Sequence, residues 1–369
     1  MKKIILILQM VLIPFSLFSM KEVSDLDVQS ISKETGLKPE SVRSMLEQGI
    51  NPREVLENSK KPRRREIITY QDRLAFDVFG KFKISYLDNL KRKLKSVASG
   101  AEKDVMAGRF NHKNATYLFY NVLNFNKLDE RFNTELEVLK EFKDSENVIQ
   151  IFGYDPANKI IVLERASSDL YKYILENEKY KDTENDIQQK IQIRLIETLL
   201  NGLKQMHFRG FIHNDLKHKN VVLDKRLNSK LIDFCFSRRV NKKGVFVSDY
   251  AIGGSPFYAA PEILPYFDPR YECEFIYSKA SDIYALGYIL YFIIYGKEHF
   301  ENETTVEFIE KVKGGWIPEL NNESTPFICG MNNIIRRCLQ FNPDDRPKID
   351  QIFEMLKDLV AELNSTEQD

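Results

Sequence analysis

A group of polar residues near the middle of the chain has the types and spacing needed to transfer a phosphoryl group. Residues 213–220 read His-Asn-Asp-Leu-Lys-His-Lys-Asn, and a second acidic residue follows in Asp-Phe-Cys, beginning at position 233. Asp215 can orient a hydroxyl nucleophile, and Lys217 can neutralise charge on the transferred group. Asn220 and Asp233 offer the hard oxygen atoms that Mg²⁺ or Mn²⁺ prefers. The pattern therefore predicts metal-assisted phosphoryl transfer.

The stretch between these acidic residues predicts the element that would position them. Residues 221–224 and 230–232 have the composition of two short strands, separated by turn-prone residues 225–229. Such a hairpin would hold Asn220 and Asp233 near each other. The alternative interpretation is a polar loop in which acidic residues occur by chance.

Composition and periodicity indicate the class of fold. The chain has 369 residues and no formal net charge, so its charge balance does not suggest a protein that binds nucleic acid. Residues 92–123 and 149–163 alternate in the manner of strands, and residues 132–142 show a helical apolar face. From residue 187 onward, helical spacing dominates. We expect an α+β fold with a small sheet-rich lobe followed by a larger helical lobe.

The first residues of the sequence predict export from the cytoplasm. Two lysines precede a mainly apolar run over residues 4–18, which is the pattern of a secretory signal peptide ending near residue 19. An uncleaved anchor, which would bring the chain to a membrane, and a buried helix of a cytoplasmic protein are the alternatives. We expect a secreted or lumenal location.

Two more segments precede the sheet-rich lobe. Residues 20–66 predict a helical and linker region, which is either a spacer or a small partner-binding module. Its basic stretch 60–65 is either a solvated linker or a nuclear import or processing signal. Residues 67–89 are expected to form an N-terminal extension, and residues 364–369 a short tail.

Together, these motifs resemble those of the eukaryotic-type serine/threonine protein kinases over residues 90–363. Residues 254–262, Gly-Ser-Pro-Phe-Tyr-Ala-Ala-Pro-Glu, resemble the end of a kinase activation segment. The resemblance implies that Glu262 pairs with Arg346 and that Asp282 anchors the catalytic loop from below. It also implies a two-lobed kinase fold, ATP with a divalent metal as cofactors, and a protein substrate.

The resemblance is weakest in the sheet-rich lobe. The Gly-rich turn that kinases place over the phosphates keeps only Gly100, and the third strand lacks the usual lysine. Asn121 is expected to fill the position of that lysine, and Phe119 the position of a small residue that faces adenine. Lys103 begins the second strand, about 5 Å from the third, and is long enough to supply the missing ammonium group. The with-no-lysine kinases use the same substitution.

Two main functional hypotheses follow, and a third, a small-molecule kinase on the same fold, is disfavoured because the Ala-Pro-Glu segment that positions peptides is intact. In the first, Lys103 pairs with the helix-borne Glu135 and binds the ATP phosphates, so that the chain is an active kinase. In the second, Lys103 is solvated, and the chain is a pseudokinase that acts as a protein-binding or allosteric module.

The resemblance further implies the contacts of the adenine base. Val105 would cover the base and Leu163 would be the gatekeeper. Glu164 and Ala166 would belong to the hinge that meets adenine through backbone groups. The alternative is that these apolar residues only form core.

Two substitutions near the catalytic loop affect regulation. Asn214 replaces the arginine through which a phosphorylated activation loop normally orders the site, so we expect activity without such phosphorylation. Cys235 replaces the glycine after Asp233 and Phe234, which reduces backbone freedom there.

Overall fold

A computed structural model describes residue 29 and residues 94–99, 103–110, 113–120, 125–156, 158–181, 185–267, 274–300, 302–321 and 325–366. The chain divides into two units, Met1–Val78 and Phe79–Asp369, and every element below belongs to the second. The predicted signal peptide, the helical and linker region (apart from Gln29) and the extension lie outside the described residues, as do Gly100 and Asn121.

The first lobe is built on a five-stranded antiparallel sheet with the spatial order β1-β2-β3-β5-β4. Its strands are β1 (Lys95–Ser99), β2 (Lys103–Phe110), β3 (Lys113–Tyr120), β4 (Ile151–Asp155) and β5 (Ile160–Glu164). Helix α1 (Phe125–Glu141) connects β3 to β4, and its apolar side chains Phe132 and Leu139 are fully buried. The strands and the helix expected from periodicity are therefore present.

The second lobe is mainly helical. Its helices are α2 (Leu170–Leu175), α3 (Glu178–Lys181), α4 (Asn185–Phe208), α5 (Lys279–Tyr295), α6 (Thr305–Lys313), α7 (Pro326–Cys338) and α8 (Ile349–Thr366). Every residue of α5 from 281 to 294 is buried, as is typical of a helix that forms the centre of a core. None of the helices in the described ranges has the length and apolarity needed to span a bilayer. The predicted α+β, two-lobed fold is confirmed.

Short strands position the loops at the start of the second lobe. Strand β6 (Ser168–Asp169) pairs with β8 (Val221–Leu223), which pairs with β9 (Ser229–Leu231). Strands β7 (Phe211–Ile212) and β10 (Arg238–Arg239) form one pair, and β11 (Val245–Ser248) and β12 (Phe275–Ser278) form another. The hairpin expected between Asn220 and Asp233 is β8–β9.

A buried aromatic cluster packs the segment around Tyr258 onto α5. His299 is stacked on Tyr288 with a centroid distance of 3.7 Å and lies edge-on to Tyr258 at 5.0 Å. Its Nε2 donates a hydrogen bond to the carbonyl oxygen of Phe257 at 2.5 Å. Burial lowers the pKa of His299 to about 3, because a charged imidazolium would lose its hydration, and the bond to Phe257 opposes this only in part. The imidazole is therefore neutral near pH 7.

We expect His299 to make the fold less stable as the pH falls. The unfolded chain binds a proton at this residue near pH 6.5, whereas the folded chain binds it only near pH 3, so full stability is present above pH 6.5 and is lost below it. Inside that window, the expected loss is about 1.4 kcal/mol of unfolding free energy per pH unit. Urea unfolding at pH 7, 6 and 5 measures it. His299→Gln should flatten the profile, and parallel profiles for the two proteins would contradict the expectation.

Candidate functional site

One buried cluster joins the two lobes around the ammonium group of Lys103, the first residue of β2. Its Nζ lies 3.0 Å from Oε2 of Glu135, on α1, and 2.8 Å from Oδ1 of Asp233, which follows β9. The Sγ atom of Cys235 lies 3.4 Å from the same nitrogen. Only 15% of the Lys103 side chain and 1% of the Glu135 side chain are exposed. A single cation therefore contacts carboxylates from both lobes.

In this cluster, the opposite charges of Lys103 and the carboxylates shift one another's pKa values in the direction that opposes the effect of burial. Burial alone would lower the pKa of Lys103, but Glu135 and Asp233 raise it well above its ordinary value. Burial alone would raise the pKa of Asp233, but Lys103 lowers it to about 2. Burial raises the pKa of Glu135, and Lys103 counteracts this only in part. Burial and Glu135 also raise the pKa of the Cys235 thiol, which stays protonated and donates to Asp233 Oδ1 at 3.1 Å.

The register of β2 and β3 decides which side chains share the face of Lys103. Lys103 is paired with Tyr120 and Val105 with Leu118, so these four side chains lie on one face of the sheet. The Tyr120 hydroxyl donates a hydrogen bond to Oε2 of Glu135. Tyr120 is therefore the β3 side chain beside the ammonium group.

The positions expected for the side chains of β3 were wrong by one residue. Phe119 is paired with Asp104 and therefore lies on the opposite face from Lys103, so the expectation that it faces adenine was wrong. Leu118 lies opposite Val105 instead. Asn121 was expected at the position on β3 beside Lys103, and Tyr120 lies there instead. Asn121 itself lies outside the described residues.

A second cluster of hydrogen bonds surrounds the carboxylate of Asp215, which is only 4% exposed. The ammonium group of Lys217 lies 2.8 Å from Oδ2, and the Ser255 hydroxyl donates to Oδ1 at 2.7 Å. The side-chain amide of Asn220 donates to the backbone oxygen of Asp215 at 2.8 Å and to Oδ2 at 3.1 Å. Three polar partners therefore fix the orientation of this carboxylate.

The backbone before Asp215 is held by Asp282, a buried residue of α5. Its Oδ2 accepts the N–H of His213 at 2.8 Å, and its Oδ1 accepts the N–H of Asn214 at 2.9 Å. His207 Nε2 lies 3.0 Å from Oδ2. Asn214 has φ 64°, a left-handed conformation that asparagine adopts more readily than most residues. The charge-assisted bonds from successive amides stabilise this turn.

Asn220 and Asp233 offer a donor set that fits a divalent metal. The N–H of Ile232 donates to the backbone oxygen of Asn220 at 3.0 Å, so the β8–β9 hairpin brings Asn220 beside the residue that precedes Asp233. The side-chain nitrogen of Asn220 is bound to Asp215, which leaves its side-chain oxygen as the ligand atom. Asp233 is ionised near neutral pH, since its pKa is about 2. Two hard oxygen donors of this kind suit Mg²⁺.

Glu262 and Arg346 form a bidentate ion pair, with Nη1 2.7 Å from Oε1 and Nη2 2.8 Å from Oε2. The Arg346 side chain is fully buried. Its nitrogens also donate to the backbone oxygens of Gln340 at 2.8 Å and Phe341 at 2.9 Å. The pair therefore fastens the segment that contains Ser255 to the helical lobe.

The residues expected to contact adenine lie on β2 and at the end of β5. Leu163 is buried, and Val105 and Ala166 are half-buried against the core. The Glu164 carboxylate is engaged by Lys230, whose Nζ lies 2.7 Å from Oε1. The backbone N–H of Glu164 donates within the lobe, to the carbonyl of Gln150 at 2.8 Å. The roles of these residues in nucleotide binding stay predictions.

Tyr120 of the first cluster and His218, which lies near the second, were not singled out from the sequence. Tyr120 could have been found from the alternation of β3, had the strand been placed in register. His218 forms a hydrogen bond to the Tyr258 hydroxyl and is stacked on Phe292 at 4.5 Å. No local pattern indicates those partners, because they lie far away along the chain.

Known proteins with a similar sequence are protein kinases. The sequence model of the protein kinase domain matches residues 95–356, more than half of the chain. NUAK family SNF1-like kinase 1 of Mus musculus is 30% identical over 59% of this chain and 30% of its own length. Sucrose non-fermenting protein kinase 1 of Fusarium virguliforme is 28% identical over 60% of this chain and 29% of its own length. Serine/threonine protein kinase OSK3 of Oryza sativa subsp. indica is 28% identical over 51% of this chain and 34% of its own length.

The chain thus spans about a third of the length of the curated relatives it matches. The matched region contains both polar clusters and the Glu262–Arg346 pair. On this match, the chain belongs to the protein kinase domain family.

Proposed function

We propose that this protein is an active serine/threonine kinase that transfers the γ-phosphate of ATP to protein side chains, with Mg²⁺ or Mn²⁺ as cofactor. The observation that carries the proposal is the position of Lys103, whose ammonium group is held between Glu135 and Asp233. A cation held beside the metal-binding acid can contact the nucleotide phosphates, where it would neutralise developing charge. Gly100 would let the backbone approach the same phosphates.

The second cluster supplies the remaining chemistry. Asp215 accepts a hydrogen bond from a serine hydroxyl, Ser255, at 2.7 Å, and the same carboxylate would orient the hydroxyl of the substrate. Lys217, which contacts both Asp215 and Ser255, would stabilise charge on the transferred group. Asn220 and Asp233 would hold the metal, which when bound supplies charge neutralisation at the phosphates. Val105, Leu163 and the backbone of residues 164–166 would bind adenine.

Replacement of Lys103 by Met should lower the rate of phosphoryl transfer by about 100-fold or more, since it removes a preorganised positive charge from a site of charge development. The measurement is transfer of labelled γ-phosphate to a mixture of serine and threonine peptides. Asp215→Asn serves as an inactive control with a nearly isosteric side chain. A Lys103→Met protein with the turnover of the wild type would refute the role of Lys103.

A rescue variant tests the displacement of the lysine itself. In Lys103→Met with Tyr120→Lys, the ammonium group returns to β3, beside Glu135. We expect this double variant to recover part of the lost activity, whereas Tyr120→Lys alone should not be more active than the wild type.

One observation favours the pseudokinase alternative. Leu118 lies opposite Val105, where a smaller residue would leave more space for adenine. In that case the protein would act as a protein-binding or allosteric module. A wild-type protein that shows no Mg²⁺-dependent thermal shift with ATP would support this alternative and contradict the enzyme.

The location in the secretory pathway is a proposal that rests on the sequence of residues 1–19 alone. A cleaved signal predicts that the mature chain begins near residue 20, and an uncleaved segment would leave it at a membrane. N-terminal sequencing of the protein from its native cells tests this, and a mature cytoplasmic chain that begins at Met1 would contradict it.

A further inference from the structure

Helix α1 is joined to the segment after Asp233 by the carboxylate of Glu130. Its Oε1 accepts a hydrogen bond from Arg238 Nη2 at 2.7 Å and another from the Tyr250 hydroxyl at 2.9 Å. The Arg238 side chain is only 12% exposed, whereas those of Glu130 and Tyr250 are 41% and 50% exposed, so the ion pair is shielded from water on the arginine side only. Two donors from distant points of the segment therefore meet on one oxygen of the helix.

Arg238 is itself fixed by its surroundings. Its Nη1 donates to the carbonyl oxygen of Ser237 at 2.8 Å, and its backbone belongs to β10, which pairs with β7. Strand β7 ends at Ile212 and leads directly into the loop that carries Asp215. Glu130 therefore attaches α1 to a part of the chain that is already positioned by the catalytic loop.

The same helix carries Glu135, about 1.4 turns after Glu130. Whatever fixes the position of α1 therefore fixes the distance between Glu135 and Lys103, which is 3.0 Å in this structure. A shift of the helix away from the segment would break this ion pair and leave the ammonium group of Lys103 with only Asp233 and the Cys235 thiol.

We propose that Glu130, Arg238 and Tyr250 form a latch that positions α1, so that Glu135 engages Lys103 without phosphorylation of the chain. The catalytic consequence rests on the proposed kinase function, whereas the latch itself does not. An added phosphate commonly orders a segment by pairing with arginine, and here a carboxylate of the chain pairs with Arg238 instead. The presence of Asn214 where the family has an arginine agrees with this, since that residue cannot receive a phosphate as an arginine does.

A further group of ion pairs between α1 and the segment is longer and more exposed, and it supplies the matched control. Arg239 lies 3.6 Å from Glu137 and 3.8 Å from Glu141, and the side chains of this group are 39–59% exposed. These pairs are longer than the 2.7 Å contact of Glu130 with Arg238, and their arginine is exposed rather than shielded, so we expect them to contribute less. Glu137→Gln therefore makes the same chemical change on the same helix, without affecting the latch.

The test is hydrogen exchange of the nucleotide-free protein in four forms, the wild type, Glu130→Gln, Glu137→Gln and the charge reversal Glu130→Arg with Arg238→Glu. We expect Glu130→Gln to speed exchange in α1 and in residues 236–252 at least about threefold, because part of the local opening energy is lost. Glu137→Gln should exchange as the wild type does. The charge reversal restores an ion pair at the same place but removes the acceptor of the Tyr250 hydroxyl, so it should recover part of the slow exchange. No recovery is expected if Glu130 matters only through the shape of its side chain.

Kinetics give the functional consequence. Glu130→Gln should lower kcat with a smaller change in the KM for ATP, and treatment of the wild type with a phosphatase should leave its rate unchanged. Equal exchange in the wild type and Glu130→Gln would overturn the latch, as would equal effects of Glu130→Gln and Glu137→Gln. A large loss of activity after phosphatase treatment would also overturn it. If exchange is faster in Glu130→Gln but the wild type transfers no phosphate, the latch is supported and the proposed kinase function is refuted.

Discussion

The site depends on the ion pairs of a single buried ammonium group. Lys103 brings together Glu135 of α1 and Asp233 after β9, and the thiol of Cys235 completes the contacts around it. Without this cation, two carboxylates would be left close together in a poorly hydrated place, which is costly. The cluster is therefore formed only when β2, α1 and the segment after β9 all lie in the right positions. The contacts of this one lysine therefore depend on how the two lobes are arranged.

The catalytic loop depends on a different kind of support. Asp282 belongs to the central, fully buried helix α5 and binds two successive amides just before Asp215. The Glu262–Arg346 pair fastens the segment that carries Ser255. Groups on a rigid helical core therefore fix the second cluster, whereas the first cluster depends on the placement of α1. This difference explains why a latch on α1 would affect activity without changing the catalytic loop.

How far the sequence could predict this site depends on the range of each contact. The β8–β9 hairpin and the positions of Asn220 and Asp233 beside it were predictable, because strand composition and turn residues act locally. The reach of Lys103 from β2 to β3 was predictable because antiparallel neighbours lie about 5 Å apart, whereas its pairing with Glu135 was expected only from the resemblance to kinases.

The errors and omissions have a common physical cause. The face of Phe119 depends on how β3 pairs with β2 and β5, and a register error of one residue reverses it. The contacts of Glu130 with Arg238 and Tyr250 join residues more than one hundred positions apart, so no local pattern indicates them. Long-range pairing and register therefore had to come from the structure.

The most direct test of the role of Lys103 compares the binding of two ligands by calorimetry in the presence of Mg²⁺. ATP carries the phosphates that the ammonium group is proposed to contact, and adenosine carries only the base and the sugar. Lys103→Met should weaken ATP binding by about tenfold or more while leaving adenosine binding unchanged, since a charge-assisted contact is lost only with the phosphates. An unchanged affinity for ATP, or an equal loss for both ligands, would contradict the placement of this charge at the phosphates.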